Sequence, residues 1–154
     1  MHIRRVRSDE WRELRELRLE SLRDAPDAFV TRYEQALEYP EEEWRSRTSW
    51  PTFVADEGSR LLGMATAWPK EPPVTAALIQ MYVRPDARGT GVAEGLVEAV
   101  VTWARAGGYG RLELGVVEGN ERAERLYARC GFARTGEIVE IEGFGADVRM
   151  ALRL

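Results

Sequence analysis

Tyr82 to Leu96 reads YVRPDARGTGVAEGL, and the hydrophobic period changes inside it. Up to Val83 the chain is a mostly apolar run, TAALIQMYV, of the length and composition of a buried strand. From Gly91 onward Val92, Leu96, Val97, Val100, Val101 and Ala104 recur at helical spacing, which predicts an amphipathic helix of about four turns. Ala106-Gly107-Gly108-Tyr109-Gly110 then terminates it. Between strand and helix lie Arg88, Gly89, Thr90 and Gly91. The first amides of a helix have no intrahelical partner and sit at the positive end of its dipole. Glycines that let a ligand approach the backbone make such a turn a seat for phosphate. The same Gly-x-Gly is also a common tight turn, and the stretch by itself leaves both readings open. It lacks the Gly-Lys-Ser/Thr ending of a Walker loop and the third glycine of a dinucleotide fingerprint, so neither nucleotide motif fits.

Working upstream, Thr52 to Asp56, Leu61 to Trp68 and Thr75 to Val83 read as three successive antiparallel strands, with a turn at Glu57 to Arg60 and a proline-rich loop at Pro69 to Pro73. His2 to Val6 is a first strand. Ser8 is placed to cap a helix from about Asp9 to Arg23 whose apolar side carries Leu14, Leu17 and Leu22. Arg18 lies on that side too, which predicts a buried or rim arginine paired with a nearby carboxylate, with contact to a substrate as the alternative. Pro26 ends the helix, and one or two short helices follow in a polar stretch holding Phe29, Tyr33, Tyr39, Trp44 and Trp50. Trp44 and Trp50 are expected to pack against the domain.

Downstream, Arg111 to Val117 is a strand, Asn120 to Phe132 a helix, and Arg134 to Gly143 and Ala146 to Leu154 two closing strands. A strand joined to the next through a helix makes a right-handed parallel crossover, so Val74 to Val83 and Arg111 to Val117 should run parallel in an otherwise antiparallel sheet. The fold class is α/β, a mixed and mostly antiparallel sheet flanked by helices.

The 154 residues suit one domain, 1–154, and 44% hydrophobic with 31% charged residues is the balance of a globular chain. A formal charge of −4 offers no field to collect nucleic-acid phosphates. Cys130 is alone, which excludes an internal disulfide, and His2 is the one histidine, which disfavours zinc sites and Ser-His or Cys-His pairs. No metal is expected, and Glu41 to Glu43 reads as a solvated helix start. The N-terminus is charged and no segment reaches the roughly 20 apolar residues of a membrane span, so no membrane partner and a cytoplasmic address are expected.

Arg88-Gly89-Thr90-Gly91-Val92-Ala93 resembles the Q/R-x-x-G-x-G/A signature of the GNAT superfamily of acyl-CoA-dependent N-acyltransferases, with Val83 to Pro85 similar to its V-x-P lead-in. About 30 residues on, Asn120, Ala123, Leu126, Tyr127, Gly131 and Phe132 resemble that family's N-x-x-A-x-x-L-Y-x-x-x-G-F. The resemblance implies that backbone amides from Arg88 through Ala93, and Glu94, hold the pyrophosphate of acetyl-CoA. It implies that main-chain groups of Met81 and Val83 pair with the pantetheine arm, in a slot where the two parallel strands splay. Asn120 would bond the arm and Tyr127 would reach the thioester sulfur. Read without the resemblance, Asn120 is an N-cap, Tyr127 a half-buried packing residue and Gly131 a C-cap, and both sets of roles can hold together.

A phenol of ordinary pKa about 10 can protonate a departing thiolate without being ionised at neutral pH, which makes Tyr127 the general-acid candidate, with packing or cofactor positioning as alternatives. Cys130 is expected to be a small packing residue, since no base adjoins it. An alkylammonium acceptor must lose a proton before attack, which costs about 5 kcal/mol at pH 7 without assistance. Some family members use a Glu on the strand before the pyrophosphate turn, but Thr75 to Val83 contains no carboxylate. Glu34, Glu113, Glu140 and Glu142 could replace it, directly or through water, but each reads better as an exposed or salt-bridged side chain, and no base is named. The expected activity is direct transfer of an acetyl group to a primary amine of a small molecule or protein. Phe29 and Tyr33 are acceptor-side candidates, with the hairpin at Gly143 to Gly145. A homodimer is compatible with the resemblance. The alternatives are a non-catalytic acyl-CoA-binding or sensing module, and a protein using Gly89-Thr90-Gly91 for another phosphate ligand.

Overall fold

The structure is a computed structural model that describes residues 1–71 and 73–154. Its centre is a seven-stranded sheet in the order β1-β2-β3-β4-β5-β7-β6. The strands are β1 (His2–Arg5), β2 (Thr52–Asp56), β3 (Leu61–Glu71), β4 (Thr75–Val83), β5 (Arg111–Val117), β6 (Ala133–Ile141) and β7 (Gly145–Arg153). The helices are α1 (Trp11–Asp24), α2 (Tyr33–Leu37), α3 (Glu41–Arg47), α4 (Val92–Ala106) and α5 (Glu121–Arg129). The β4–β5 pair is parallel and the others are antiparallel, as the crossover through α4 requires.

Both faces of the sheet are covered, and β3 shows how. Leu62 and Ala65 join the core that Leu96, Val97 and Val100 of α4 complete, whereas Leu61 and Met64 join Leu14 and Leu17 of α1 on the other face. Alternation sends successive side chains to opposite sides, so a strand buried on both reads as a continuous apolar run. Each fully buried Leu or Val contributes about 1.5 to 3 kcal/mol. Trp44 is buried with Trp11, Leu22 and Ala36 under α1, and Trp50 meets Trp68 edge-on at 5.0 Å, so both pack as the sequence suggests.

Three local expectations differ. Ser8 caps nothing: Ser8–Glu10 is a 3-10 turn, and the carboxylate of Glu10 accepts from the Arg7 amide at 2.7 Å. Glu10 also receives Arg4 at 2.8 and 2.7 Å, so this end of α1 is set by an ion pair to β1. The strand β3 runs on through Pro69 to Glu71 where a loop from Pro69 to Pro73 is predicted, with Pro69 opposite Ala76. Beyond Ala67 β3 has β4 on one side only, and at an open edge a proline's missing N–H costs no ladder bond. Pro72 itself lies outside the described residues. Third, Arg18 has no carboxylate partner among the described residues; its guanidinium lies 4.7 Å from the centre of the Phe29 ring.

Two irregularities open the sheet. The parallel pairing is confined to Thr75, Ala76 and Ala77 opposite Arg111, Leu112 and Glu113, although β4 continues to Val83 and β5 to Val117. On the other side of β4, Ile79 faces Thr66 and Tyr82 faces Met64, leaving Gln80 and Met81 opposite Ala65 alone. This bulge puts Gln80 at φ 55, and its side chain accepts from the Thr66 hydroxyl at 3.1 Å. A bulge bends the strand that carries it, here away from β5.

Candidate active site

The two diverging strands leave a cavity of about 900 Å³ between their C-terminal halves. Leu78 to Val83 of β4 and Leu114 to Val117 of β5 form its sides, α5 closes one end with Asn120 and Tyr127, and Arg88, Gly89 and Ala93 lead in from α4. Ligands bind at such points because the strands have released each other and helix N-termini converge there.

At the α4 end, Gly91 is the N-cap at φ 89 and Gly89 stands at φ 78, and a Cβ on either would meet nothing within 4 Å. The glycines are required by left-handed backbone rather than by crowding. Among the described residues, the amides of Gly89, Thr90, Gly91, Val92 and Ala93 have no backbone acceptor; the first intrahelical bond to Gly91 comes from Gly95 at 3.1 Å. Arg88 differs: its amide donates to Pro85 at 3.3 Å, and its guanidinium donates to the Val83 carbonyl at 3.0 Å and to Asp24 at 2.9 Å. Glu94 interacts with its own amide and with Arg129 at 3.1 Å, and both interactions hold its carboxyl below the usual range. The open cluster of donors thus begins one residue later than Arg88, faces solvent, and suits a diphosphate.

At the α5 end, Asn120 caps the helix, its Oδ1 accepting from the Ala123 amide at 3.2 Å. Asn120 also lines the cavity, so cap and ligand contact are compatible. Tyr127 is buried at 7% exposure and packs edge-on to Phe132 at 5.9 Å; its carbonyl accepts from the Cys130 and Phe132 amides, and its hydroxyl makes no hydrogen bond to a described residue. Burial, and secondarily Cys130, pushes its phenol well above the ordinary tyrosine range. The Cys130 thiol is also raised, first by burial, and stands outside the cavity.

Met81, Val83 and Phe29 line the cavity; Tyr33 does not, and instead lies under the Arg23 guanidinium at 5.7 Å. None of the four glutamates considered as bases lines it either. Glu34, Glu140 and Glu142 are exposed elsewhere. Glu113 sits where β4 and β5 are still paired, with its carboxyl lowered first by Lys70 at 2.8 Å and then, after burial's opposing effect, by Arg111 at 2.6 Å.

Asp147, which the sequence did not single out, does line the cavity. It lies on β7 opposite Val117, bonded to Arg149 at 2.8 Å, and the pair rests across Gly115 of β5. A Cβ on Gly115 would come within 2.3 Å of Asp147 Oδ1 and 2.5 Å of Arg149 Nη1. The missing side chain at Gly115 is the space this carboxylate occupies. An "ADVR" strand gives no local sign of that role. Among the described residues there is no cluster of metal-ligating side chains and no helix long and apolar enough to cross a membrane.

This fold and site define a class. The model of the acetyltransferase (GNAT) family matches residues 10–132, and the chain belongs to that family of acyl-CoA-dependent acetyltransferases. It is 33% identical over 103 residues to N-acetyltransferase 8 of Mus musculus, covering 64% of this chain and 45% of that one. It is 34% identical over 89 residues to N-acetyltransferase 8F1 of Rattus norvegicus, covering 55% and 40%. The chain therefore spans less than half the length of these curated relatives. Among solved structures it is similar to a GNAT-family acetyltransferase from Streptococcus pneumoniae, with TM-score 0.83 and 20% identity over 99% of this chain and 98% of that one. It also matches yncA, a putative acetyltransferase from Salmonella typhimurium solved with its cofactor acetyl-CoA, with TM-score 0.78 and 21% identity over 100% and 94%. At these identities the structural likenesses speak to the fold alone.

Proposed function

We propose that this chain transfers the acetyl group of acetyl-CoA directly to a primary amine. The observation that carries the reading is one cavity, beside the splay of β4 and β5, lined both by Gly89 and Ala93 of the amide cluster and by Tyr127. Acetyl-CoA supplies an activated acyl carbon and a thiolate leaving group. The amides of Gly89 to Ala93 hold its diphosphate. Met81 and Val83 present main chain to the arm, and Asn120 contacts it beside the cap of α5.

Tyr127 donates its proton to the departing sulfur as the C–S bond breaks. Burial suits it to that task, because a phenol whose charged form is disfavoured stays protonated through neutral pH. The amine forms its C–N bond to the acyl carbon and loses a proton, which Asp147 accepts directly or through water. No acyl-enzyme is needed, which agrees with a half-buried Cys130 away from the cavity.

Incubation with acetyl-CoA and a panel of primary amines, read as free thiol and as acetylated product by mass, tests the reading. Amine-dependent thiol release is expected. Tight acetyl-CoA binding without turnover on any amine would replace catalysis by sensing. Protection from heat by ATP or NAD but not by CoA would remove the donor.

A further inference from the structure

Arg18 occupies an unusual position for a cation. It is on α1, 6% exposed, and on the wall of the same cavity as Tyr127. Among the described residues its Nη1 has no hydrogen-bond partner, and no side-chain hydrogen bond or ion pair forms at its guanidinium. Phe29 lies beneath the guanidinium, and Ala25, Ala28 and Val30 line the wall nearby. The other charge felt there is a second cation, Arg47, which is itself bonded to Glu43 at 2.9 Å. Burial first, and then Arg47, lower the Arg18 pKa to about 10, with Tyr39 opposing, so the group is still charged at neutral pH. A buried charge without a partner is strongly unfavourable, and such a group is retained where a ligand supplies the partner.

We propose that Arg18 is the receptor for a carboxylate on the acceptor, so that the acceptor is a small amine that also bears a carboxylate, such as an amino acid. The inference rests on the acetyl-transfer reading for what happens at the amine end, and on Arg18 alone for the other end. One planar guanidinium matches one carboxylate, charge for charge and fork to fork. A phosphate carries up to two charges and three acceptor oxygens, more than one guanidinium matches. Of the charged residues along the cavity wall, two fit the two ends of such a molecule: Asp147, which also accepts from Arg149, for the ammonium and Arg18 for the carboxylate. A protein lysine, whose amine has no carboxylate of its own nearby, does not use this site.

The test compares α-amino acids with their carboxamides as acceptors. The wild-type protein should favour the acids by about 100-fold in kcat/KM. Arg18→Met should bring acid and amide within about threefold of each other while leaving the Kd for acetyl-CoA unchanged, and Arg18→Lys should restore part of the preference. Amides used as well as acids by the wild-type protein, or an unchanged ratio in Arg18→Met, overturns the proposal. So does weakened acetyl-CoA binding in Arg18→Met with selectivity intact, which would give Arg18 to a phosphate of the donor. If no amine at all is acetylated, the transfer reading fails separately. Calorimetric titration of the CoA-bound protein with N-acetyl amino acids and their amides then decides Arg18 alone: tighter binding of the acids supports it, and equal or no binding removes it. The wild-type comparison needs no variant to fold.

Discussion

Replacing Tyr127 by Phe separates catalysis from packing because the structure gives the two roles different magnitudes. The ring packs against Phe132 and is buried at 7% exposure, contacts that Phe keeps. The hydroxyl makes no hydrogen bond to a described residue, so its loss strands no partner. Deleting a buried hydroxyl without a partner is neutral or stabilising by up to about 1 kcal/mol. For a chain of this size that moves Tm upward by at most about 4 °C. The chemical effect is much larger: loss of a general acid typically lowers turnover about 10²- to 10⁴-fold, or about 2.7 to 5.4 kcal/mol of barrier. The assay is kcat by thiol release at saturating amine, with the Kd for acetyl-CoA and thermal melting measured in parallel. Expected is a fall in kcat of at least about 100-fold with Kd within about threefold and Tm at or slightly above that of the wild-type protein. The wild-type rate should also show no loss of the acid form until above the ordinary tyrosine range near pH 10, because burial raises this phenol. Turnover within about threefold of wild type in the Phe variant would refute Tyr127 as the proton donor.

Three further outcomes follow from other parts of the molecule. Gly91→Ala and Gly91→Glu both place a side chain at φ 89 and should lose similar stability, about 1 to 2 kcal/mol, but the Glu variant should also weaken acetyl-CoA binding at least about tenfold by competing for the amides; equal Kd values in the two variants would remove the anion seat. Asp147→Asn should reduce kcat/KM at pH 7 by about 10²-fold or more and converge on wild type as pH rises toward the amine's own pKa near 10, and a deficit that is constant with pH would speak against proton acceptance. Glu10→Gln should cost about 2 kcal/mol at pH 7, because Arg4 and the Arg7 amide lose a charged acceptor. Those partners, Arg4 first, hold the Glu10 carboxyl below its usual range against the opposing effect of burial, so its contribution is present above about pH 4.5 and is lost as pH falls through the lowered value. Denaturation curves of wild type and variant should therefore converge in acid, and a gap that persists there would count against the ion pair.

Much of the site is legible in the chain because its parts are local. The change of period at Gly91, the glycines at positive φ and the Asn120 cap each depend on a few consecutive residues, and the helices α4 and α5 begin where those residues place them. The prolonged β3 is a different case. Pro69 breaks a strand by its own propensity, yet it is tolerated because β2 has already ended beside it, a fact of register between segments.

Charged groups show the same division more sharply. Glu113 lies on a strand that borders the cavity, but pairing with Ala77 puts it where β4 and β5 are joined, bonded to Lys70 and Arg111. Asp147 becomes a cavity carboxylate, along with Glu94, because β7 enters the sheet next to β5 and Gly115 leaves room for it. The spacing of α1 put Arg18 on the buried face; that no acid among the described residues meets it there depends on side chains distant along the chain, Phe29 and Arg47 among them.

By itself, then, the sequence determined the strand and helix types, the parallel crossover and the glycine turn before α4, since periodicity, capping and positive-φ glycines are properties of neighbouring residues. Tertiary structure alone decided where β4 and β5 part, that Asp147 faces the cavity, and that a buried arginine on its wall has no carboxylate partner among the described residues. Those outcomes are set by pairing register and by burial between segments distant along the chain, which no local pattern records.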